Sequence, residues 1–391
     1  MRITNLLGVA VVGLSFLVSG LVAAQHRAAE PPEFKKSAQV FETRATVGVA
    51  LEDLDADGDL DAVISNLGPS MVLMNDGKGR FNESWRAETV HGLVAGDIDR
   101  DGDADLVVAP WDQEPGRVYL NSGGRFGASE SRLGAGVEWF PDCLRLVDVD
   151  HDGDLDAATY TMDGRSVVWT NDGKGRFARG AHSIPPDATF CDLNGDGFPD
   201  VVSRESRLAA TPQGWVPRDG ERGFRVYLND RRGGFTRFAF LPMPDLMRGQ
   251  HLWTWFGDID SDGDSDVLYT DRGDGPVAAG VLRNDGTGRL SEGQKLGLVT
   301  MGKICTGDLN NDRALDLVVT DWGRPAELWM NDGKGTFFDG GRVGDRFNSQ
   351  GCVVKDVDND GDQDLFISDY QRGNTSIWFN QWVESRKAPK R

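Results

Sequence analysis

Seven times along the chain, carboxylates recur at positions 1, 3, 5 and 9 of a nine-residue run, D-x-[DN]-x-D-G-x-x-D. The first three runs carry Asp53, Asp55, Asp57 and Asp61; Asp97, Asp99, Asp101 and Asp105; and Asp148, Asp150, Asp152 and Asp156. The fourth and fifth carry Asp192, Asn194, Asp196 and Asp200, then Asp258, Asp260, Asp262 and Asp266. The last two carry Asp308, Asn310, Asp312 and Asp316, then Asp356, Asp358, Asp360 and Asp364. Oxygen ligands at this spacing suit a hard cation, and calcium accepts six to eight of them in irregular geometry. Glycine at position 6 permits the turn that folds the acids around one point, and the position 7 carbonyl can add a ligand, as in an EF-hand. A true EF-hand would need flanking helices and a glutamate at position 12, whereas β-branched segments follow here. Position 7 is itself aspartate in five runs (Asp59, Asp103, Asp154, Asp264 and Asp362), which adds charge rather than a side-chain ligand. Clustered acids repel one another without a cation, so up to seven Ca2+ sites are expected. The fourth run, with Asn194, should still bind. The sixth has Arg313 where glycine belongs and loses an acid at Asn310, so it is expected to be weak or empty.

Such sites need rigid hairpins, and the flanking sequence supplies them. Successive runs start 44, 51, 44, 66, 50 and 48 residues apart, counted from Asp53 to Asp356. A period near fifty marks propeller blades or an array of repeats. Each run leads into a β-rich segment such as D-A-V-I-S or D-L-V-V-A. A second β segment ends in asparagine, as in V-L-M-N-D-G-K-G-R-F, where Asn-Asp-Gly signals a hairpin because it tolerates positive φ. The aromatic beyond it (Phe81, Phe126, Phe177, Phe235 or Phe337) starts an outer strand, and a fourth β segment precedes each aspartate run. Four strands per repeat make one blade. The expected fold is therefore an all-β, seven-bladed β-propeller of four-stranded blades with calcium-binding hairpin loops, over residues 25–383.

Ring closure is also legible. In the first six repeats the hairpin asparagine lies 21 to 29 residues before the next run, but only eleven residues follow Asn380. The seventh blade therefore lacks an outer strand, and a segment near Phe34 to Thr43 is expected to supply it. Such a clasp removes open sheet edges. The 66-residue spacing reflects extra residues within 204–222, expected as a long loop containing Trp215. Glu384–Arg391 is polar and basic and is expected to be a disordered tail.

Forty-two basic against 62 acidic side chains give a formal charge of −20. That balance argues against nucleic acid and anionic membranes as partners. Residues 1–24 have the form of an export signal: Arg2, an apolar run from Leu6 to Val22, then V-A-A ending at Ala24. Cleavage near Ala24 would give a secreted or periplasmic protein with no transmembrane segment in the mature chain, expected to be a monomer. Cys143, Cys191, Cys305 and Cys352 are too few for a disulfide framework, and each precedes an aspartate run, so they are expected as small buried residues rather than bridges.

The D-x-D-x-D-G-x-x-D hairpins and N-D-G-K-G-R-F turns resemble the FG-GAP/VCBS repeat family, which includes the head of integrin α-subunits. The resemblance covers nearly the whole mature chain. It implies that the calcium loops join the first and second strands of each blade on one face. It also implies that partners bind the opposite face, formed by the loops between strands 2 and 3 and between strands 4 and 1.

The segments assigned to that opposite face are rich in aromatics: Trp111, Trp139, Trp215, Trp253 with Trp255, Trp322 and Tyr370. Rings beside amides and carboxylates suit carbohydrate stacking or protein hot spots, and they equally suit packing between blades. His91, Asp142, Asp187, His251, Lys303 and Gln350 fall five to seven residues before each run and could ring the channel mouth. Lys, His and Asp together can support proton abstraction, although such rings are more often solvated structure. No nucleophile elbow, zinc signature or phosphate loop occurs. The leading expectation is a non-catalytic, calcium-scaffolded module that recognises an extracytoplasmic glycan or protein. The alternatives are a polysaccharide lyase or dehydratase using His91, Asp187, His251 and Lys303, and a multivalent sugar-binding lectin.

Overall fold

The computed structural model describes residues 31–387, apart from 42, 44, 111–113, 135–143, 161–165, 181–183, 186–187, 206–207, 212–213, 218–222, 244–250, 273–277, 298–302, 321, 350 and 371–374. It is all-β, with seven four-stranded antiparallel blades in a propeller ring. The first blade shows how the sequence builds one. Thr46–Glu52 pairs with Asp61–Asn66, with Glu52 opposite Asp61, so the aspartate run bridges the first and second strands. Asp61–Asn66 pairs with Gly68–Asn75, and Asn75 lies opposite Phe81 at the start of the outer strand. The outer strand runs straight into the next inner strand as one element, Phe81–Gly96, so the first two blades share a seven-stranded sheet.

Every residue of Asp61–Asn66 is buried, because this second strand is covered on both faces by neighbouring blades. That explains its β-branched, non-alternating composition. The apolar core accordingly lies between blades. One cluster joins Leu51, Ile64, Met71 and Phe81 of the first blade to Val357, Phe366 and Ile377 of the seventh, with Phe41 stacked on Phe366 at 5.8 Å.

The clasp is present. Phe34–Lys36 pairs antiparallel with Ser376–Asn380 and forms the outer edge of the seventh blade, ordered 34–36, 376–380, 364–367, 352–355. Gln39 then exchanges two hydrogen bonds with the Phe81 backbone of the first blade, its Nε2 donating at 3.0 Å and its Oε1 accepting at 3.1 Å. Gln294 of the fifth blade makes the same exchange with Phe337 of the sixth, at 2.9 and 2.7 Å. The N-terminal segment thus does what a regular outer strand does elsewhere.

Three expectations are corrected. Cys305 and Cys352 form a disulfide between the inner strands of the sixth and seventh blades, with Cα atoms 5.9 Å apart. Both lie three or four residues before an aspartate run, so adjacent blades bring them to one level. Cys191 is a free, half-buried thiol, and Cys143 lies outside the described residues. The insertion in the fourth blade is not a long loop but a separate hairpin, Leu208–Thr211 paired with Gly214–Pro217. The tail begins with a short helix, Trp382–Lys387. Asn380 caps it by accepting from the Trp382 amide at 3.1 Å, and Arg386 lies over the Trp382 ring at 3.7 Å. No helix among the described residues is long and apolar enough to cross a membrane.

Candidate functional site

The seven aspartate runs share one hydrogen-bonding plan. The position 9 aspartate is buried, and in six runs its two oxygens accept backbone amides from two different elements; in the fifth, Asp266 accepts only Asn284 N at 2.8 Å, and its other oxygen stands 3.6 Å from Arg283. Asp61 takes Leu54 N at 3.0 Å and Asn75 N at 2.8 Å, and Asp364 takes Val357 N at 3.1 Å and Asn380 N at 2.8 Å. This carboxylate therefore holds the hairpin together, and only its remaining lone pairs are open to a cation. The hairpin asparagine completes the plan across the blade boundary. Asn121 Nδ2 donates to Leu54 O of the preceding blade at 2.6 Å and to Ala104 O of its own at 2.9 Å. The same pair of bonds is made by Asn75, Asn171, Asn229, Asn284, Asn331 and Asn380, and Asn75 closes the circle on Val357 O of the seventh blade at 2.8 Å.

At position 6 the backbone amide donates to position 1, as Gly58 N does to Asp53 at 3.1 Å. Arg313 keeps this bond to Asp308 at 2.7 Å but holds a left-handed φ of 74°. Position 4 is left-handed too, in six runs without glycine: Ala56, Arg100, His151, Ser261, Asn311 and Asn359, with φ between 56° and 63°. Sequence reasoning missed this position. A left-handed non-glycine residue costs about 1 kcal/mol, which the surrounding hydrogen bonds must offset. Side chains at position 4 also reach the next loop round the ring. Arg100 donates to Asp152 O at 2.6 Å and Gly153 O at 3.1 Å and pairs with Asp154, Asn311 donates to Gly361 O at 3.0 Å, and Asn359 donates to Asp59 at 2.7 Å.

In five runs the oxygens of positions 1, 3 and 5 converge within 4.8 Å of one another: Asp53, Asp55 and Asp57, and the corresponding trios from Asp97, Asp148, Asp258 and Asp356. Buried oxygens of Asp53, Asp55, Asp97, Asp148, Asp150, Asp260 and Asp356 accept no hydrogen bond. Burial, then repulsion from Asp57 or Asp101, raises the carboxyls of Asp55 and Asp99 above their usual range. At position 9, burial raises Asp61, Asp105 and Asp266 to about 6, Asp156 and Asp316 to about 7 and Asp364 to about 8. Orphaned, buried, mutually repelling oxygens fit a bound divalent cation, which would supply the missing positive charge.

The opposite end of the molecule is less fully described. Trp322 and Tyr370, from adjacent blades, stack with ring centroids 5.8 Å apart. Trp255 does not belong with them. Its ring is 40% exposed on the wall of the central channel, and its Nε1 donates to Thr306 Oγ1 of the next blade at 2.8 Å. Trp215 and Trp253 are placed only by their strands, and Trp111 and Trp139 lie outside the described residues. The channel holds a cavity of about 560 Å³ lined by inner strands, including Arg145, Thr254, Trp255 and Lys303. Lys303 Nζ donates to Val47 O at 3.4 Å. Of its proposed companions, Asp142, Asp187 and Gln350 lie outside the described residues, and His91 and His251 are placed only by their strands.

Seven blades carrying acidic strand 1–2 loops define the class: a repeat β-propeller whose loops could hold metal ions. FG-GAP-like repeat models match residues 53–108, 97–159, 148–203, 192–269, 258–319 and 308–367, and the chain belongs to that family. No curated protein matches the sequence. Among solved structures, BBS1N in complex with ARL6DN is 11% identical with a TM-score of 0.56, over 90% of this chain and 97% of that one. The V. cholerae biofilm matrix protein Bap1 is 12% identical with a TM-score of 0.47, over 89% of this chain and 91% of that one. The Photorhabdus luminescens Tc holotoxin pore is 18% identical with a TM-score of 0.40, and the match covers 84% of this chain but 16% of the toxin chain. At 11% identity the likeness to BBS1N is one of fold.

Proposed function

We propose that the protein is an exported, calcium-stabilised recognition module that binds a glycan or protein partner through the face opposite its aspartate loops. The observation that carries the calcium half is the set of buried, unpartnered carboxylate oxygens converging in the loops. Calcium at those points would neutralise acids that burial and mutual repulsion otherwise penalise, and would brace the inner ends of the blades. The Cys305–Cys352 bridge favours an oxidising compartment, in keeping with the export signal read in residues 1–24. FG-GAP propellers commonly serve as interaction modules. The stacked Trp322–Tyr370 pair offers the flat, amphipathic surface that sugars and protein hot spots use.

The test is binding of the mature protein to a glycan array and to a panel of extracellular matrix proteins in about 1 mM calcium, beside a Trp322→Ala/Tyr370→Ala variant. Specific binding that the variant loses, without a change in melting temperature, supports the reading. Binding that the variant retains in full would move the site elsewhere. Release of unsaturated products from an acidic polysaccharide would replace recognition with lyase chemistry.

A further inference from the structure

We infer that calcium is confined to one contiguous arc of the ring, blades 7, 1, 2 and 3, and that in blades 4, 5 and 6 groups of the chain itself stand in for the cation. This rests on the calcium reading above and narrows it. Two independent features divide the seven loops in the same place.

The first is the position 1 carboxylate. In every loop its Oδ2 accepts the position 6 amide. In loops 4, 5 and 6 its Oδ1 also accepts the position 5 amide: Asp196 N to Asp192 at 3.2 Å, Asp262 N to Asp258 at 3.1 Å and Asp312 N to Asp308 at 2.9 Å. In loops 7, 1, 2 and 3 the same oxygen, on Asp356, Asp53, Asp97 and Asp148, is buried and accepts nothing. A position 1 carboxylate with both oxygens engaged has less need of a cation than one that buries a bare oxygen.

The second is resident charge. In loop 4, Arg231 Nη2 pairs with Asp196 at 3.3 Å while its guanidinium lies 5.3 Å from the Phe198 ring. In loop 5, Arg283 enters the ligand set itself, pairing with Asp260 and standing 3.6 Å from Asp266. Its other nitrogen donates to Lys334 O at 3.0 Å and Gly335 O at 2.9 Å of the sixth blade, and a Cβ on Gly335 would overlap it. The guanidinium therefore has a built seat. In loop 6, Asn310 Nδ2 donates to Asp312 at 3.0 Å, so an amide stands where a ligand carboxylate would. Loop 5 brings its three acids as close together as loops 7, 1, 2 and 3 do and keeps buried oxygens on Asp260, Asp264 and Asp266 that accept no hydrogen bond, so here it is the charge of the Arg283 guanidinium, not hydrogen bonding, that stands in for the cation. Arg100 differs from these arginines, since it touches only positions 5 to 7 of loop 3 from outside and leaves Asp148 and Asp150 bare.

The experiment uses the mature protein, with calcium alone as the probe. Hydrogen exchange is followed by mass spectrometry before and after chelation, and bound calcium is counted after dialysis. Chelation should deprotect 53–61, 97–105, 148–156 and 356–364 and leave 192–200, 258–266 and 308–316 unchanged. Arg283→Met should add one bound ion per chain. The reciprocal change Met74→Arg, at the matching position before Asn75, should remove one and guards against a variant that merely unfolds. Equal deprotection in all seven loops, or unchanged ion counts in folded variants, would overturn the arc and leave calcium binding intact. A protein that binds no calcium at all would overturn the calcium reading as well.

Discussion

Asn75→Ala should destabilise the propeller by about 1.5–4.5 kcal/mol. The Asn75 side chain is 8% exposed and donates to Val357 O across the first–seventh blade boundary and to Leu60 O within its own blade. Val357 is itself buried, so truncation strands its carbonyl; leaving a buried polar group unsatisfied costs about 1–3 kcal/mol. Losing the second bond, to half-buried Leu60, adds about 0.5–1.5 kcal/mol. Asn75→Asp should be at least as costly, because a carboxylate cannot donate and would face two carbonyl oxygens. The assay is urea unfolding at saturating calcium, with the midpoint compared at constant slope so that only stability is read. Asp76→Ala serves as the turn control, since the Asp76 carboxylate makes only exposed local hydrogen bonds. An Asn75→Ala loss below about 0.5 kcal/mol, the size of an ordinary surface substitution, would refute the claim that this bond seals the ring.

Three further outcomes are expected. In a chelator, stability should fall as pH rises. Six buried carboxyls are raised from 3.8 to between about 6 and about 8, so the stability they contribute is present below about pH 4 and lost on passing through those values. A melting temperature that climbs from pH 5 to pH 8 in chelator would contradict this. Replacing Cys305 and Cys352 by serine frees a 47-residue loop and should cost roughly 4 kcal/mol by chain entropy, and unchanged denaturant midpoints would show the bridge to be energetically idle. Deleting residues 33–43 should expose the edge of Ser376–Asn380 and produce aggregation or a lower melting temperature, whereas a variant as stable and monomeric as the parent would remove the clasp.

The blades were legible because their signals are local: a turn, an alternation and an acid run each specify their own few residues. The clasp was legible by subtraction, since Asn380 leaves too little chain for a fourth strand. What escaped depends on neighbouring blades. The Cys305–Cys352 bridge could have been found by aligning the repeats, because both cysteines precede their aspartate runs by nearly the same distance. Arg283 and Arg231 could not, because nothing in the spacing shows that a guanidinium from the hairpin turns toward the acids. Position 4 escaped for another reason: Ala56, His151 and Ser261 carry no turn signature, and the run imposes the left-handed conformation on them. The fourth-blade insertion folds as a hairpin despite weak β propensity, its Ala209–Val216 and Ala210–Trp215 pairs setting the register.

The circle of asparagine bonds has a consequence for how the chain can be cut. All seven joints are made by the same two groups pointing the same way round, each blade's amide seizing the carbonyl behind it, and the Asn75–Val357 joint is chemically no different from the other six. The junction of the first and seventh blades is therefore not a special place in the ring. A gene opened between any two other blades, with Phe34 tethered directly behind the strand it now clasps, would preserve every joint and exchange a split blade for a whole one.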